Sequence, residues 1–233
     1  MNREAFFTVH RELPREGPGE AADVHWVLDQ IPKPARVLDA ACGPGADTVT
    51  LADALPEAAI TAIDKMPHFV EETRTRVPDR VTVREGDAFD VRGPFDIIWC
   101  AGAVYFKCVT QALKAWRPAL GPNGHVAFSE PLKPGPDAPQ AAWDFWAAEY
   151  PQIMDRAGLS DQVIAAGFEI LGTRLIFGQP WEDYYTPMQA RIDKLRGTDP
   201  ALTDTLHEHQ REIDLWRAAR DHVAYLLILT RPA

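Results

Sequence analysis

The stretch VLDAACGPGADTVTL, residues 37–51, runs from apolar residues through Asp39, Gly43 and Gly45 into a helix-like segment. Glycine at such a turn lets a ligand approach the main chain and allows positive φ, while Asp39 offers a carboxylate to backbone amides or to a cationic ligand amine. Two further acids stand at comparable places. Asp64 closes AAITAID, nineteen residues beyond Gly45, where an acid can accept from both hydroxyls of a ribose held over the turn. Asp87 closes VTVREGD. Taken singly, each feature has a plainer explanation: a tight strand-to-helix turn with no ligand, or a polar strand terminus. Three successive strand ends with an acid each describe an edge built to receive a nucleoside.

A dinucleotide is the main rival ligand, because a glycine turn and a downstream acid are also its fingerprint. That fingerprint needs G-x-G-x-x-G/A, and Gly43-Pro44-Gly45-Ala46-Asp47-Thr48 puts threonine where the smallest residue is wanted. Asp47 also lies at the mouth of the helix, where a pyrophosphate would meet a like charge. A cationic ligand without phosphates suits this acidic edge better.

The elements that must position these residues follow from apolar spacing. ARVLDAA, AAITAID, VTVREGD, FDIIWCAG and HVAFSEP are strand-like, with amphipathic segments at 46–55, 68–77 and 109–120 among them. Strands apolar on both faces that alternate with helices predict a doubly wound, mostly parallel α/β sheet. Residues 88–94 must return the chain from the end of the third strand to the start of the fourth. At ~3.3–3.6 Å per residue they reach roughly 25 Å, so no regular helix is expected there.

The carboxyl third changes character. GLSDQVIAAGFEILGTRLI predicts a helix with Ser160 as N-cap and Gly167 as the stop, then a sixth strand. HVAYLLILTRP predicts a seventh. The expected organisation is one domain over 1–233: a helical segment at 1–34, a core at 35–131, an aromatic helix, a helix and a strand at 132–177, a cap insertion at 178–222 and the final strand at 223–233. Trp143, Trp146 and Tyr150 form one helical stripe, for which core packing is the better explanation. Trp181, Tyr184 and Tyr185 are assigned to a loop of the insertion. With Tyr105 the two tyrosines could wall a pocket for a planar or apolar ligand. Glu130, ending the fifth strand, is a candidate base or anchor, with a solvated strand-end acid as the alternative. His207 and His209 lie on different faces of a helix, and the other histidines have no motif around them. In that helix Leu206, Ile213, Leu215 and Trp216 are expected inward.

Composition narrows the partners. With 34 acidic against 24 basic side chains the net charge is −10, and no Lys/Arg block stands out, which argues against nucleic acid. No run of about 18 apolar residues predicts a membrane span. Cys42, Cys100 and Cys108 form neither a disulfide framework nor a zinc pattern. A cytoplasmic protein without a metal, acting on a small molecule and with a homodimer as an open option, is the expectation.

Taken together, VLDAACGPG, AID, EGDAFD and PFDIIWCAGAVY resemble, in order and spacing, the successive motifs of the class I S-adenosylmethionine-dependent methyltransferases over roughly residues 35–131. REGPGEAADVHWVLDQI, GAVYF, DFWAAEYPQI and WEDYYTP are similar to a bacterial branch grouped with quinone-biosynthesis enzymes. The resemblance implies a seven-stranded sheet of order 3-2-1-4-5-7-6 with the last strand antiparallel. It implies S-adenosylmethionine as cofactor, S-adenosylhomocysteine as product and methyl transfer to a small-molecule acceptor. Gly43 and Gly45 would pass the methionine portion, and Asp64 would hold the ribose diol. Lys65 and Met66 would flank the adenine, and Asp87 and Ala88 would meet its amino group and ring edge. Cys100, Ala101 and Gly102 would form the cofactor floor, while Arg15 and Gly17 close over the methionine end or belong to an ordinary loop. Ala41 stands where the family usually has its first glycine. The acceptor would meet Tyr105, Glu130, Trp181, Tyr184 and Tyr185. An NAD(P)-dependent oxidoreductase and a non-catalytic cofactor-binding protein remain as alternatives.

Overall fold

A computed structural model describes residues 3–233. Two helices, α1 (Arg3–His10) and α2 (Ala21–Leu28), precede the first strand, β1 (Arg36–Ala40). Then follow α3 (Ala46–Ala54), β2 (Ala59–Asp64), α4 (Pro67–Arg76), β3 (Thr82–Glu85), β4 (Phe95–Ala101), α5 (Val109–Trp116) and β5 (Leu120–Pro131). The remainder comprises α6 (Gln140–Glu149), α7 (Arg156–Ala165), β6 (Phe168–Ile176), α8 (Gln179–Leu195), α9 (Thr203–Ala218) and β7 (Tyr225–Pro232). All seven strands join one sheet in the order β3-β2-β1-β4-β5-β7-β6, and β7 runs antiparallel to both neighbours. The expected fold is the observed one. Residues 88–94 contain no helix, as the reach argument requires.

Alternation along the strands divides the core. Leu38, Ala40, Ile98, Cys100, Val126 and Phe128 face α5 and α7. Val37, Ile97, Trp99 and Ala127 face α2 and α3. A third apolar cluster joins α1, α6, α8 and α9, with Trp181 and Trp216 stacked at 5.6 Å. This cluster meets the sheet at Tyr225, which pairs with Pro131 at the carboxyl end of β5. The helices between β6 and β7 therefore sit at the edge that carries the acids.

Local chemistry corrects three expectations. The N-cap of α7 is Asp155, whose side chain accepts from the Gly158 amide at 2.8 Å, whereas Ser160 lies inside the helix and bonds back to the Arg156 carbonyl. Gly167 does end that helix, at φ +77°. Trp181, Tyr184 and Tyr185 are helical, because α8 starts directly after Gly178 with Pro180 in its first turn. The Trp143–Tyr150 stripe divides: Ala142 and Phe145 are the buried residues of α6, and Tyr150 follows the helix and reaches Glu130 instead.

Candidate active site

The glycine turn is a left-handed passage from β1 to α3. Ala41, Gly43 and Gly45 have φ of +59°, +53° and +89°. Gly45 has a second reason to be glycine: a Cβ there would lie 2.8 Å from Thr73 Cγ2. Ala41 accepts the same left-handed region with a side chain, at a cost of about 1 kcal/mol. The turn is held from β2. The Gly43 amide donates to Asp64 Oδ2 at 2.9 Å, the Met66 amide donates to Asp64 Oδ1 at 2.8 Å, and the Thr73 hydroxyl donates to the Gly43 carbonyl at 2.8 Å. Burial pushes the Asp64 carboxyl up, opposed by these amide bonds.

Asp39 is buried at the end of β1 and accepts from the Thr48 hydroxyl. That bond explains how threonine fits where a dinucleotide turn wants glycine. Burial, with the Asp47 charge second, raises Asp39 to about 8. Asp47 is held by Arg15 Nη2 at 3.3 Å and by the Trp99 indole N–H at 3.0 Å. Arg15 also donates to the Gly17 carbonyl, so its guanidinium is engaged by its own chain. Arg15, Glu16, Gly17, Asp39, Ala101 and Gly102 border one cleft over the turn.

The other expected cofactor residues fall along the same edge. Lys65 and Asp87 are exposed, Met66 is half-buried and Ala88 is buried. Ala88 gives its carbonyl to the Trp116 indole at 2.7 Å. Cys100 is the correction: its side chain turns to the opposite face of β4, into the core beneath α5, and leaves Ala101 and Gly102 at the cleft. Of the expected acceptor residues, Trp181 and Tyr185 are fully buried in the third cluster, with the Trp181 indole bonded to the Ile176 carbonyl and the Tyr185 hydroxyl to Glu212 at 2.8 Å. Their side chains pack the cap. Glu130 is completely buried, which removes the solvated-acid alternative.

Sequence reasoning missed a chain of side chains beside the turn. His209 Nδ1 lies 2.8 Å from the Thr205 carbonyl, His209 Nε2 lies 2.8 Å from His10 Nε2, and His10 Nδ1 lies 2.6 Å from Glu16 Oε2. A carbonyl only accepts, so His209 donates through Nδ1 and, when neutral, accepts at Nε2. His10 then donates through Nε2 and accepts at Nδ1, which leaves Glu16 to donate as a protonated acid. The electrostatics agree. Burial lowers both histidines to about 4, and burial together with the Glu72 and Asp64 charges raises Glu16 to about 9 against the pull of Arg76. A Cβ on Gly43 would stand 3.4 Å from Glu16 Cγ, so this acid lies over the turn, with Oε1 unpartnered. No local pattern signals it, since His10 and His209 are 199 residues apart.

Among the described residues, no group of three or more His, Cys, Asp and Glu side chains is arranged to hold a metal. No helix of the described residues is long and apolar enough to cross a membrane.

The sheet order, the antiparallel seventh strand and an acid-backed glycine turn define a doubly wound α/β protein whose candidate ligand edge is the carboxyl ends of its strands. Residues 37–124 match the family model described as a methyltransferase domain. Trans-aconitate 2-methyltransferase of Methylobacterium nodulans is 49% identical over 116 residues, covering 48% of this chain and 43% of that protein. The Rhodococcus jostii protein of the same name is 28% identical over 181 residues, covering 72% and 66%. The chain thus spans between about two fifths and two thirds of the length of these curated relatives. A methyltransferase of Geobacter sulfurreducens in complex with S-adenosyl-L-homocysteine superposes with TM-score 0.83 at 18% identity, covering 99% of this chain and 98% of that one; this likeness is one of fold. Over residues 37–124 the chain is therefore similar to methyltransferase domains, and its fold is shared with methyltransferases solved in complex with S-adenosyl-L-homocysteine.

Proposed function

We propose that this protein transfers a methyl group from S-adenosylmethionine to a small-molecule acceptor in the cytoplasm. The observation that carries the reading is Asp64, pinned by the Gly43 and Met66 amides beside a bare glycine turn. A carboxylate has about four lone-pair sites, so Asp64 keeps acceptor capacity for both ribose hydroxyls. The residues fit the cofactor at its other end too. Gly43 and Gly45 leave the main chain open to the methionine portion, the exposed Asp87 accepts from the Phe89 amide through Oδ1 and keeps Oδ2 for the adenine amino group, and Lys65 and Met66 flank the ring. Arg15 and Gly17 close the cleft while Arg15 neutralises Asp47.

When bound, the cofactor supplies an electrophilic methyl group on a sulfonium whose departure needs no proton. The protein's task is therefore alignment, for which about 7–11 kcal/mol of barrier lowering is available. A base is required only where the acceptor arrives protonated. Glu130, buried, and Glu16, half-buried over the turn, are the two glutamates positioned at this edge. The net charge of −10 and the acidic edge disfavour a phosphate-bearing cofactor and a nucleic-acid partner.

Calorimetric titration with S-adenosylmethionine, S-adenosylhomocysteine and NADH tests the reading. Binding of the first two at micromolar concentrations and none of the third is expected. Binding of NADH alone overturns it, and cofactor binding without transfer to any acceptor points to a non-catalytic binding protein.

A further inference from the structure

Beyond the glycine turn the interior is acidic and aromatic without being basic. Glu130, one residue from the end of β5, is 0% exposed. Its carboxyl accepts from the Tyr150 hydroxyl at 3.3 Å through Oε2 and is favoured in its charged form by the Tyr105 backbone amide, while Oε1 is left without a hydrogen-bond partner of its own. A buried acceptor left unmade costs about 1–3 kcal/mol, so an orphaned carboxylate oxygen at a ligand edge points to a donor that arrives with the ligand.

The surroundings specify that donor. The Tyr105 and Tyr150 rings lie 5.8 Å apart, and Tyr225 Cε2 is 3.5 Å from where a Cβ on Gly102 would stand, so Tyr225 abuts the cofactor floor. Glu212 approaches from α9 and Glu16 from the segment between α1 and α2. The strongest charge effects on Glu212, Tyr105, Tyr150, Tyr184 and Tyr225 come from carboxyl, thiol and phenol groups. Tyrosine faces and buried carboxyl groups together favour a cation and disfavour an anion, which would be desolvated against acids with no counter-charge.

We propose that the acceptor seated between Glu130 and the rings of Tyr105, Tyr150 and Tyr225 is an amine that enters as its ammonium form and donates an N–H to Glu130 Oε1. The inference rests on the methyl-transfer reading and names its substrate class. The ammonium N–H bond then breaks and a Glu130 O–H bond forms. The nitrogen keeps its electron pair, and a neutral acid and a neutral amine replace the ion pair. Burial raises Glu130 to about 8, toward the amine range, which makes that proton transfer easier. The relatives named for trans-aconitate are named for a polycarboxylate. Such a ligand would face Glu130 and Glu212 without a cation to meet it.

The test uses three probes of matched shape, 2-phenylethylamine, 2-phenylethanol and 3-phenylpropionate, titrated at neutral pH into the full chain with and without S-adenosylhomocysteine. The amine is expected to bind at least tenfold more tightly than the alcohol, with the carboxylate weakest. Glu130→Gln should remove at least tenfold of the amine affinity and leave S-adenosylhomocysteine affinity unchanged. Equal or tighter binding of the carboxylate, binding of none of the three, or an unchanged ranking in a folded Glu130→Gln protein overturns the proposal. The wild-type ranking decides by itself if that variant does not fold. Failure of S-adenosylhomocysteine to bind while the amine preference persists would sink the methyl-transfer reading and leave the amine site standing.

Discussion

At Asp64 one carboxylate shapes the turn and, on the proposed reading, receives the ribose. Replacing it with alanine removes the acceptor for the Gly43 and Met66 amides. Asp64→Ala should therefore lower S-adenosylhomocysteine affinity at least tenfold in calorimetry. Tyr185→Phe removes a hydroxyl that bonds Glu212 inside the cap and should leave that affinity nearly unchanged. Equal losses from the two would overturn the division between cofactor cradle and cap. The acids at the strand ends were legible as residues because spacing alone sets them at the carboxyl edge. Their states were not: Asp39 is buried under Thr48, whereas Asp87 is exposed.

The relay from Thr205 through His209 and His10 to Glu16 joins α9, α1 and the segment over the turn. Its pH dependence follows from proton counting. Folded, the three side chains stay neutral, with the histidines lowered to about 4 and Glu16 raised to about 9 from the usual 6.5 and 4.5. Between about pH 4.5 and 6.5 the unfolded chain carries two charged histidines and an ionised Glu16, one proton more than the folded chain, so stability rises with pH. Above about 6.5 it carries one proton fewer, and stability falls until Glu16 ionises in the folded protein near pH 9. Glu16→Gln keeps a donor to His10 without an ionisable group. The variant should be more stable than the parent by a margin that widens between about pH 4.5 and 9 at up to about 1.4 kcal/mol per pH unit. The other raised acids, Asp39, Glu130 and Glu212, are common to both proteins and cancel. Urea unfolding across that range checks it, and parallel curves at every pH would sink the assignment of the shared proton.

On the scale of the molecule, the parallel sheet presents the turn, and the third cluster roofs its carboxyl edge through Trp181, Trp216 and Tyr225. A ligand held by the folded chain alone stabilises it by mass action, about 2.7 kcal/mol at a hundred times its Kd. For a chain of this size S-adenosylhomocysteine at that excess should raise Tm by roughly 5–10 °C, and at the same ligand concentration the shift should fall to about half or less in Asp64→Ala. A shift of equal size in that variant would place the ligand elsewhere.

The sequence by itself determined the doubly wound sheet, the glycine turn and the acids behind it, because each rests on short-range spacing. Near-continuous apolar runs, a Gly-x-Gly turn and an acid at a strand end are local statements that the fold merely executes. It did not separate branches: the motifs resemble quinone-biosynthesis enzymes, while the relatives described above are named for trans-aconitate. Only the tertiary structure decided that Trp181 and Tyr185 pack the cap, that Cys100 faces away from the cleft, and that Glu130 is buried with an unpaired oxygen. The same holds for the pairing of His10 with His209. Burial and long-range pairing set the protonation and exposure of these groups, and no spacing along the chain encodes the distance between residues 199 positions apart.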